Sequence, residues 1–527
     1  MVAMITDAII IGGGHNGLVC ASYLANAGMR VRVLEKNEQI GGPASTEEFH
    51  PGFRNSVGAY TVSLLNPKVI NDLELHKHGL KIVERKVNNV FPHNDGNFLA
   101  FVHGRNELKK EIAQFSKHDA KQVDRFFSDI EMVSDQIRSL LLETPPNAGG
   151  GFRDVVRAAL LGNRLRKLNV DEGRVLLDIF SKSVSDFLDY YFKDERVKAA
   201  FAFDGLVGTY SDTKQAGTAY VLAHHAFGEV NGKKGIWGHA IGGMGAITQS
   251  MAAYAQTKGV DIEVNRTVHR VVVKNNEAVG VELDDGEIIE SSRVVSNLNP
   301  ALLFRRMINA SNLPEEFNRR MENYKNGSGT LRMNVALRDL PEFTCLTNQK
   351  RATEDHLTSG IIIGPTVDYL DQAYKDAEEL GWSREPIIEM LIPSTLDDSL
   401  APPGKHVASL FCHQFNPGLN WDVHRDKAAR TVINQVEKYA PGFRELILGQ
   451  QVLTPIDLER KFGLINGDIF HGKLNLDQMF SARPILGYGN YRTPINKLYM
   501  CGSGTHPGGG VTGIPGHNAA REILKDL

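Results

Sequence analysis

The sequence predicts an α/β fold with a parallel β-sheet at its centre and a second, α+β domain inserted between its segments. A strand, a glycine-rich turn, a helix and a second strand follow one another within residues 6–36, the order of a parallel βαβ unit. Another glycine-rich turn follows a strand-like run at residues 498–517, far along the chain. The 527 residues exceed what one hydrophobic core usually holds, so at least two domains are expected.

The first turn carries the spacing G-x-G-x-x-G directly after the apolar strand at residues 8–11. Gly12 lets the chain turn tightly, Gly14 lets a pyrophosphate approach the backbone, and Gly17 lets the helix pack against the strand. The free N–H groups and positive dipole end of the helix then face the phosphates. The segment therefore predicts a Rossmann-type dinucleotide-binding domain.

Glu35 closes the second strand of this unit, which begins at Val31. An acidic residue at this place accepts a hydrogen bond from a ribose hydroxyl, and a charge-assisted bond of that kind is worth roughly 1.5–3 kcal/mol. The same charge repels a 2′-phosphate, which argues against NADP. Gly41 and Gly42 follow shortly afterwards. Such a doublet brings backbone near the cofactor in many flavoproteins, but an ordinary turn explains it equally well.

Composition sets further limits. The net charge of −3 and the 23% of charged residues give no electrostatic reason to expect a nucleic-acid partner. No apolar run approaches the ~20 residues of a transmembrane helix. The first strand begins within ten residues of Met1, so we expect no signal or transit peptide and a cytoplasmic protein, either free or peripheral to a membrane. Four cysteines without a C-x-x-C pair argue against a disulfide scaffold and against any metal site.

The middle of the chain separates into further segments. Residues 53–66 are apolar with hydroxyl side chains interspersed and are expected to line a pocket, whereas residues 68–230 are mostly helical with strands near 82–102. A glycine-rich turn at 242–245 opens a helix. Hairpin-like strands follow it at 260–264, 268–273, 278–283 and 288–295. Asn297, after the last of these, is expected near the nucleotide.

Residues 301–484 are expected to form the rest of the inserted domain. The predicted elements are strands at 331–337, 360–363, 387–392 and 406–412 and helices at 313–323 and 425–439. We therefore predict a first domain built from residues 1–85, 231–300 and 485–527, and an inserted domain built from residues 86–230 and 301–484.

Residues 154–168 combine an apolar face with basic residues such as Arg164 and Lys167. Such a helix either lies on an anionic membrane or packs on its own domain as an ordinary surface helix. We favour the second interpretation, because the segment is short and Gly162 weakens the helix.

His224 and His225 are adjacent within a predicted helix. Adjacent helical residues point in different directions, so they do not form a metal pair. One of them is a catalytic candidate facing the pocket, although plain core or surface histidines remain the alternative.

The second glycine cluster is predicted to fold back onto the first and to hold the rest of the same cofactor. It lies between a strand at Leu498–Cys501 and a helix that starts near Gly516. His506 and Val511 are then expected near a flavin ring, with the helix N-terminus stabilising negative charge on it.

Several motifs together resemble the phytoene-desaturase-like flavoproteins over essentially the whole length. The nearest subgroup is the one named for a pyridine nucleotide–disulphide oxidoreductase domain, an animal member of which lies in the mitochondrial matrix. The motifs are GGGHNGLV at 12–19, IGGPASTEE at 40–48, DLELHKHGL at 72–80, WGHAIGGMGA at 237–246, VSNLNP at 295–300, LAPPGKHV at 400–407, YAPGF at 439–443 and CGSGTHPGGGVTG at 501–513.

This resemblance implies a discontinuous FAD-binding domain of the amine-oxidase and phytoene-desaturase type, with an inserted substrate domain. It implies transfer of a hydride from a carbon of an apolar or amphipathic small molecule to flavin N5, followed by reoxidation by oxygen, a quinone or another acceptor. The missing cysteine pair argues against disulfide chemistry. The missing leader argues against mitochondrial import.

We therefore predict an FAD-dependent oxidoreductase of the dehydrogenase or desaturase type. An amine or alcohol oxidase on the same scaffold, and a low-turnover interaction protein stabilised by FAD, remain the alternatives. His224 and His225 are the catalytic candidates. The predicted cofactor-binding residues are Gly12, Gly14, His15, Asn16, Gly17, Glu35, Lys36, Gly41, Gly42, Ala44, Val268, Asn297, Gly502, His506, Gly510 and Val511.

Overall fold

A computed structural model describes residues 6–147, 149–347 and 352–527. The strands are β1 (Ala8–Ile11), β2 (Val31–Leu34), β3 (Thr46–His50), β4 (Phe53–Ser56), β5 (Ile82–Glu84), β6 (Val87–Pro92), β7 (Phe98–Val102), β8 (Glu229–Val230), β9 (Lys233–Lys234), β10 (Gly238–Ala240), β11 (Asp261–Glu263), β12 (Val268–Lys274), β13 (Glu277–Leu283), β14 (Ile288–Glu290), β15 (Val294–Ser296), β16 (Leu331–Leu337), β17 (Gly360–Ile363), β18 (Ile388–Leu391), β19 (His406–Cys412), β20 (Ile447–Leu453) and β21 (Leu498–Met500).

The helices alternate with these strands and are concentrated before β8. They are α1 (His15–Asn26), α2 (Pro67–Asp72), α3 (Arg105–Ala113), α4 (Lys117–Leu141), α5 (Phe152–Leu165), α6 (Val170–Ser181), α7 (Val184–Leu188), α8 (Glu195–Leu206), α9 (Thr218–Ala226), α10 (Gly245–Thr257), α11 (Pro300–Leu302), α12 (Glu315–Glu322), α13 (Thr344–Thr347), α14 (Val367–Leu380), α15 (Trp421–Tyr439), α16 (Phe443–Leu446), α17 (Pro455–Phe462) and α18 (Ile514–Leu524).

A five-stranded parallel sheet confirms the predicted α/β fold. Its strand order is β11-β2-β1-β15-β21, and every neighbouring pair is parallel. All four residues of β1 are buried, and successive side chains enter two different cores. Parallel strands covered on both faces have to be apolar throughout, which is why the run at residues 8–11 carries no polar side chain.

Close backbone contact joins the first and last helices of this sheet. A Cβ atom on Gly516 of α18 would lie 2.2 Å from the carbonyl oxygen of Asn16 in α1. The two helices therefore touch through backbone, and only a residue without a side chain fits there.

A seven-stranded sheet forms the second layer of the molecule, in the order β20-β16-β19-β18-β17-β6-β7. Its pairs are antiparallel apart from β17 and β6. Residues 87–102 and 331–453 thus share one sheet, as expected if two separate segments build the inserted domain. The domain boundaries themselves stay a prediction.

One predicted element differs from that observed. The run at 288–295 is split between β14, in a three-stranded antiparallel sheet, and β15, in the parallel sheet. Ser291 lies at the split and donates its hydroxyl to the Arg293 carbonyl at 2.8 Å.

Helix α5 does not pack as we favoured from the sequence. None of its residues is fully buried, and Phe152, Val155 and Leu160 point their apolar side chains outward. The polar side of the helix makes the contacts instead, because Arg157 and Arg164 bond to other elements of the chain. Among the described residues, no helix is long and apolar enough to cross a bilayer.

Glu522 of α18 connects several elements around the parallel sheet. Its buried carboxylate accepts hydrogen bonds from Thr144 at 2.7 Å, Arg492 at 3.0 Å and Lys525 at 2.6 Å. Burial by itself raises the pKa of Glu522, but the bonds from Lys525, Thr144 and Arg492 outweigh burial and lower the pKa to about 2.

We expect Glu522→Gln to lower the free energy of unfolding at pH 7 by about 2 kcal/mol, because charge-assisted bonds are lost. A lowered folded-state pKa stabilises the protein at neutral pH, and that contribution is lost as the pH falls from about 4.5 towards about 2. Urea unfolding at pH 7 and pH 3, with the exposed Glu315→Gln as control, measures both effects. An equal destabilisation at the two pH values would contradict the expectation.

Candidate functional site

The turn between β1 and α1 forms a cradle of bare backbone. Gly12 has φ +96°, which favours glycine, and its N–H donates to the Leu34 carbonyl at 2.8 Å. A Cβ on Gly17 would lie 2.3 Å from the Gly12 carbonyl oxygen. The helix therefore starts in direct contact with the turn, with its N-terminus at the end of the strand.

Glu35 fixes the cradle from the side of the second strand. Its buried carboxylate accepts the Gly13 N–H at 2.8 Å through Oε2. The Asn37 N–H and side-chain amide each donate to Oε1 at 2.9 Å. Glu35 lines the adjoining cavity, as a cofactor-binding residue must. It also orders the glycine turn, a role that the sequence did not reveal.

The predicted glycine doublet lies against the same turn. Gly41 donates its N–H to the Gly13 carbonyl at 2.9 Å, and Gly14 and Gly41 form an isolated parallel bridge. The backbone of residues 41–44 therefore continues the cradle past Gly14.

The late glycine cluster reaches this cradle. The Asn16 side-chain amide donates to the Ser503 hydroxyl at 3.1 Å, across 487 residues of sequence. His15 and Gly510 both line the cavity between the turns, and burial lowers the pKa of His15 to about 4. The two turns that the sequence predicted to meet do meet.

One cavity of about 640 Å³ lies between the two turns and extends towards the seven-stranded sheet. Most of the predicted site residues line it. They are Gly12, Gly14, His15, Asn16, Glu35, Lys36, Gly42, Ala44, His225, Val268, Asn297, Gly510 and Val511.

Five predicted residues are not among those that line the cavity: Gly17, Gly41, Gly502, His506 and His224. The three glycines hold backbones close together; for instance, a Cβ on Gly502 would lie 2.6 Å from the Asn297 carbonyl oxygen. The buried His506 ring donates from Nε2 to the Leu140 carbonyl at 3.1 Å, and burial lowers its pKa to about 4. His506 and Val511 were both predicted to lie near the flavin ring. Of the two, Val511 is the one that lines the cavity.

The two adjacent histidines have different surroundings. His225 lines the cavity, its Nδ1 donates to the Val221 carbonyl at 2.8 Å, and burial lowers its pKa to about 4. His224 lies among aromatic rings, including Phe470 with centroids 5.7 Å apart. Burial also lowers the pKa of His224, to about 3. Both rings are neutral at pH 7, and His225 alone of the two can contact a ligand in this cavity.

Unpartnered buried atoms test whether FAD, which the resemblance implies, fits this cavity. Asn16 Oδ1, His15 Nε2 and His471 Nδ1 have no hydrogen-bond partner within the described ranges, and all three residues line the cavity. An unsatisfied buried polar atom is costly. The hydroxyl and phosphate groups of FAD supply the donors and acceptors that these atoms require, so the residues fit the cofactor.

A polar cluster that the sequence analysis missed lies on the sheet side of the cavity. Tyr60 donates to Glu389 Oε2 at 2.5 Å, and Arg85 lies 3.9 Å from the same carboxylate. The Arg332 guanidinium stacks over the Tyr60 ring at 4.6 Å. Burial raises the pKa of Glu389, although Arg85, Tyr60 and Arg332 oppose that shift.

Asp204 of α8 is a second missed residue. It lines the cavity, and within the ranges that the structure describes, no group donates a hydrogen bond to its carboxylate. Burial, and secondly the charge on Glu389, raise the pKa of Asp204 to about 7. It is therefore a cavity carboxyl group that changes protonation near neutral pH.

A sequence signal existed for part of this cluster. Arg332 and Glu389 interrupt the apolar runs of β16 and β18, in which every residue is buried. A charged residue within a fully buried strand requires a partner or a ligand. Asp204 carried a similar signal, because it directly follows the apolar run at residues 199–203 in a helix whose residues are mostly buried.

Comparisons with known proteins identify the family of this chain. The sequence model of the family described as flavin containing amine oxidoreductase matches residues 17–336. Pyridine nucleotide-disulfide oxidoreductase domain-containing protein 2 of Rattus norvegicus is 37% identical over 99% of this chain and 94% of that protein. The lycopene-forming phytoene desaturase of Pseudescherichia vulneris is 26% identical, with 96% of each chain covered.

A solved structure shares the fold. Wild-type putrescine oxidase bound to putrescine superposes with a TM-score of 0.63 at 16% identity, covering 99% of each chain. At this identity the likeness concerns the fold alone.

We expect Glu35→Gln to weaken FAD binding by at least about tenfold, since a neutral amide replaces a charge-assisted acceptor. The amide oxygen still accepts the Gly13 N–H, which holds the glycine turn, whereas the two bonds from Asn37 to the other oxygen are lost. Fluorescence titration of the apoprotein with FAD measures the dissociation constant, with the exposed Glu38→Gln as control. Equal affinities of the two variants would remove Glu35 from the cofactor site.

We expect the Gly14→Val protein to fold but to bind no flavin. A Cβ at this position would lie 2.9 Å from Asn297 Nδ2, and the two methyl groups would fill the cradle. The ratio of flavin absorbance to protein, together with circular dichroism, checks both statements. Gly173→Ala, where a Cβ meets open space, is the control, and a fully yellow Gly14→Val protein would be contrary to the prediction.

Proposed function

Since the chain belongs to the flavin-containing amine oxidoreductase family and is an FAD-dependent oxidoreductase, we propose that it dehydrogenates an amphipathic small molecule. In this reaction a hydride leaves a substrate carbon for flavin N5. An external electron acceptor, oxygen or a quinone, then takes the two electrons.

The observation that carries this proposal is a single cavity with two different parts. One part is walled by the glycine turns around Gly14 and Gly510, and the other by Asp204, Glu389 and His225. A molecule in the second part lies next to a cofactor held in the first, which is the arrangement that a direct transfer of hydride requires.

The second part supports an amphipathic substrate. Phe203, Val207 and Phe470 give it apolar surface, whereas Asp204 and Glu389 give it polar groups. Binding cavities usually combine a mainly apolar wall with a few polar groups that orient the ligand. A pure hydrocarbon would leave the Asp204 carboxyl group without a partner.

Bound FAD supplies a two-electron acceptor for the hydride. The chain supplies the remaining functions. Asp204 takes the proton that leaves the substrate when a double bond forms, because its carboxylate faces the cavity and has no other partner among the described residues. The neutral His225 ring and Trp237, stacked with centroids 6.2 Å apart, form a wall that orients the substrate and excludes water.

An amine oxidase on the same scaffold is the second candidate, because an ammonium group would find an acceptor in Asp204. Arg332 lines the same wall, however, and no carboxylate among the described residues forms an ion pair with it. This charge opposes the binding of a cation, so we favour the dehydrogenation of a neutral or anionic amphipathic molecule.

Anaerobic absorbance of the flavin tests the proposal directly. The holoenzyme is mixed with long-chain unsaturated alcohols and acids, with polyenes, and with primary amines. Bleaching by the amphipathic or polyene compounds is expected. Bleaching by amines alone would establish the second candidate, and a yellow protein that no compound reduces would leave a low-turnover interaction protein.

We expect Asp204→Asn to slow flavin reduction about 10²-fold, because positioned proton transfer contributes factors of about 10²–10⁴. In the wild-type protein the rate rises with pH through about 7, as Asp204 loses its proton; the variant lacks this rise.

Stopped-flow reduction at pH 6–8, with the compound that bleaches the wild type, measures both effects. The control is Glu195→Gln, an exposed substitution on the same helix, and flavin content shows that each variant is loaded. An unchanged pH profile in Asp204→Asn would exclude Asp204 as the proton acceptor.

A further inference from the structure

Helix α5 turns its apolar face away from the protein. Phe152 is 82% exposed, Val155 62% and Leu160 64%, and Val156 lies on the same side of the helix. A surface helix of a globular protein normally buries such a face. The outward orientation therefore requires an explanation.

The polar face of α5 supplies the contacts with the rest of the chain. Arg157 bonds to Glu522 of α18 at 3.3 Å and, within α5 itself, to Asp154 at 3.0 Å. Arg164 donates to the Ser139 hydroxyl at 2.7 Å. The orientation of the helix is thus fixed by specific polar bonds, which hold the apolar side outward.

Positive charge surrounds the apolar face. Residues 152–168 contain five basic residues and one acidic residue. Arg153, Arg166 and Lys167 are exposed and form no ion pair with any described residue. Since Asp154 is paired with Arg157, the free charge beside the apolar face is positive.

The following helix extends this surface and connects it to the cavity. Val170 and Leu177 of α6 are 72% and 65% exposed. On its other side, α6 stacks Phe180 on Tyr220 of α9, with ring centroids 5.2 Å apart. The helix α9 also carries His225, which lines the cavity.

We propose that α5, together with the start of α6, docks on an anionic lipid bilayer. The apolar side chains enter the boundary between headgroups and acyl chains, and Arg153, Arg166 and Lys167 bind the anionic headgroups. The combination of an exposed apolar face with flanking cations is the pattern that binds a bilayer surface without crossing it. This proposal does not depend on which substrate the cavity takes.

A second copy of the chain would be a less suitable occupant of this face. Two α5 helices packed face to face would bring the unpaired cations of both copies together, and like charges repel. Anionic headgroups instead neutralise those cations. A bilayer also accepts a convex helix without a matching groove.

Cosedimentation of the FAD-loaded protein with vesicles tests this proposal. Vesicles of phosphatidylcholine with about 30% phosphatidylserine are compared with pure phosphatidylcholine. We expect binding to the anionic vesicles, and weakening of that binding when salt is raised, because the headgroup attraction is screened.

Phe152→Gln combined with Leu160→Gln removes the apolar contribution, and we expect vesicle affinity to fall roughly tenfold or more. Arg153→Gln combined with Lys167→Gln is expected to abolish the preference for anionic lipid. The matched control is Val423→Gln, a substitution at a site 70% exposed on the distant helix α15, and it should bind like the wild type.

Flavin absorbance and size-exclusion chromatography accompany each measurement. Unchanged flavin content in the α5 variants separates the membrane proposal from the proposed function. Wild-type protein that stays in the supernatant with anionic vesicles would overturn the proposal. A dimer that Phe152→Gln with Leu160→Gln dissociates, without vesicle binding, would instead identify the face as an interface between copies.

Discussion

The pairing of β1, β15 and β21 is the constraint on which the site depends. β15 hydrogen-bonds to strands from both extremes of the chain, Ile9 lying opposite Val294 and Val294 opposite Leu498. Because all three strands are parallel, their carboxyl ends meet at one edge of the sheet. Both glycine-rich turns leave from that edge, and the cofactor cavity forms between them.

Buried charged residues line the part of the cavity that lies away from the glycine turns. Glu389 and Arg332 lie on strands whose every residue is buried, where an unpaired charge would be prohibitively costly. Tyr60 and Arg85 partly compensate Glu389, but nothing in the described ranges bonds to the Asp204 carboxylate. The chain therefore keeps polar groups beside the cofactor at a cost in stability, which is common at sites that bind and transform ligands.

Local patterns predicted the elements well. The strands at 331–337, 360–363 and 406–412 have the predicted bounds, because mainly apolar runs of this length favour a buried strand. The meeting of the two glycine turns was also predictable, since clustered glycines indicate close backbone approach. The role of Glu35 in holding Gly13 was not, because it depends on the rotamer of one buried side chain.

The sequence did not decide which face of a predicted helix would pack against the rest of the protein. The periodicity of residues 154–168 correctly indicated an amphipathic helix, but not which face would meet the protein. The orientation is set by Glu522 and Ser139, which are distant from α5 in sequence and bond to the arginines on its polar side. Asp204 similarly became a cavity residue only because the fold brings its position on α8 close to Glu389 of β18.

The late position of β21 has a consequence for biosynthesis. The central sheet lacks an edge strand, and the cavity lacks one of its walls, until the ribosome has synthesised residues 498–513. Until then the nucleotide site remains incomplete. The pairing of β21 with β15 joins segments far apart in sequence, and such long-range pairing is slow. The complete cofactor site therefore exists only once residues 498–513 have joined the sheet and the cavity wall.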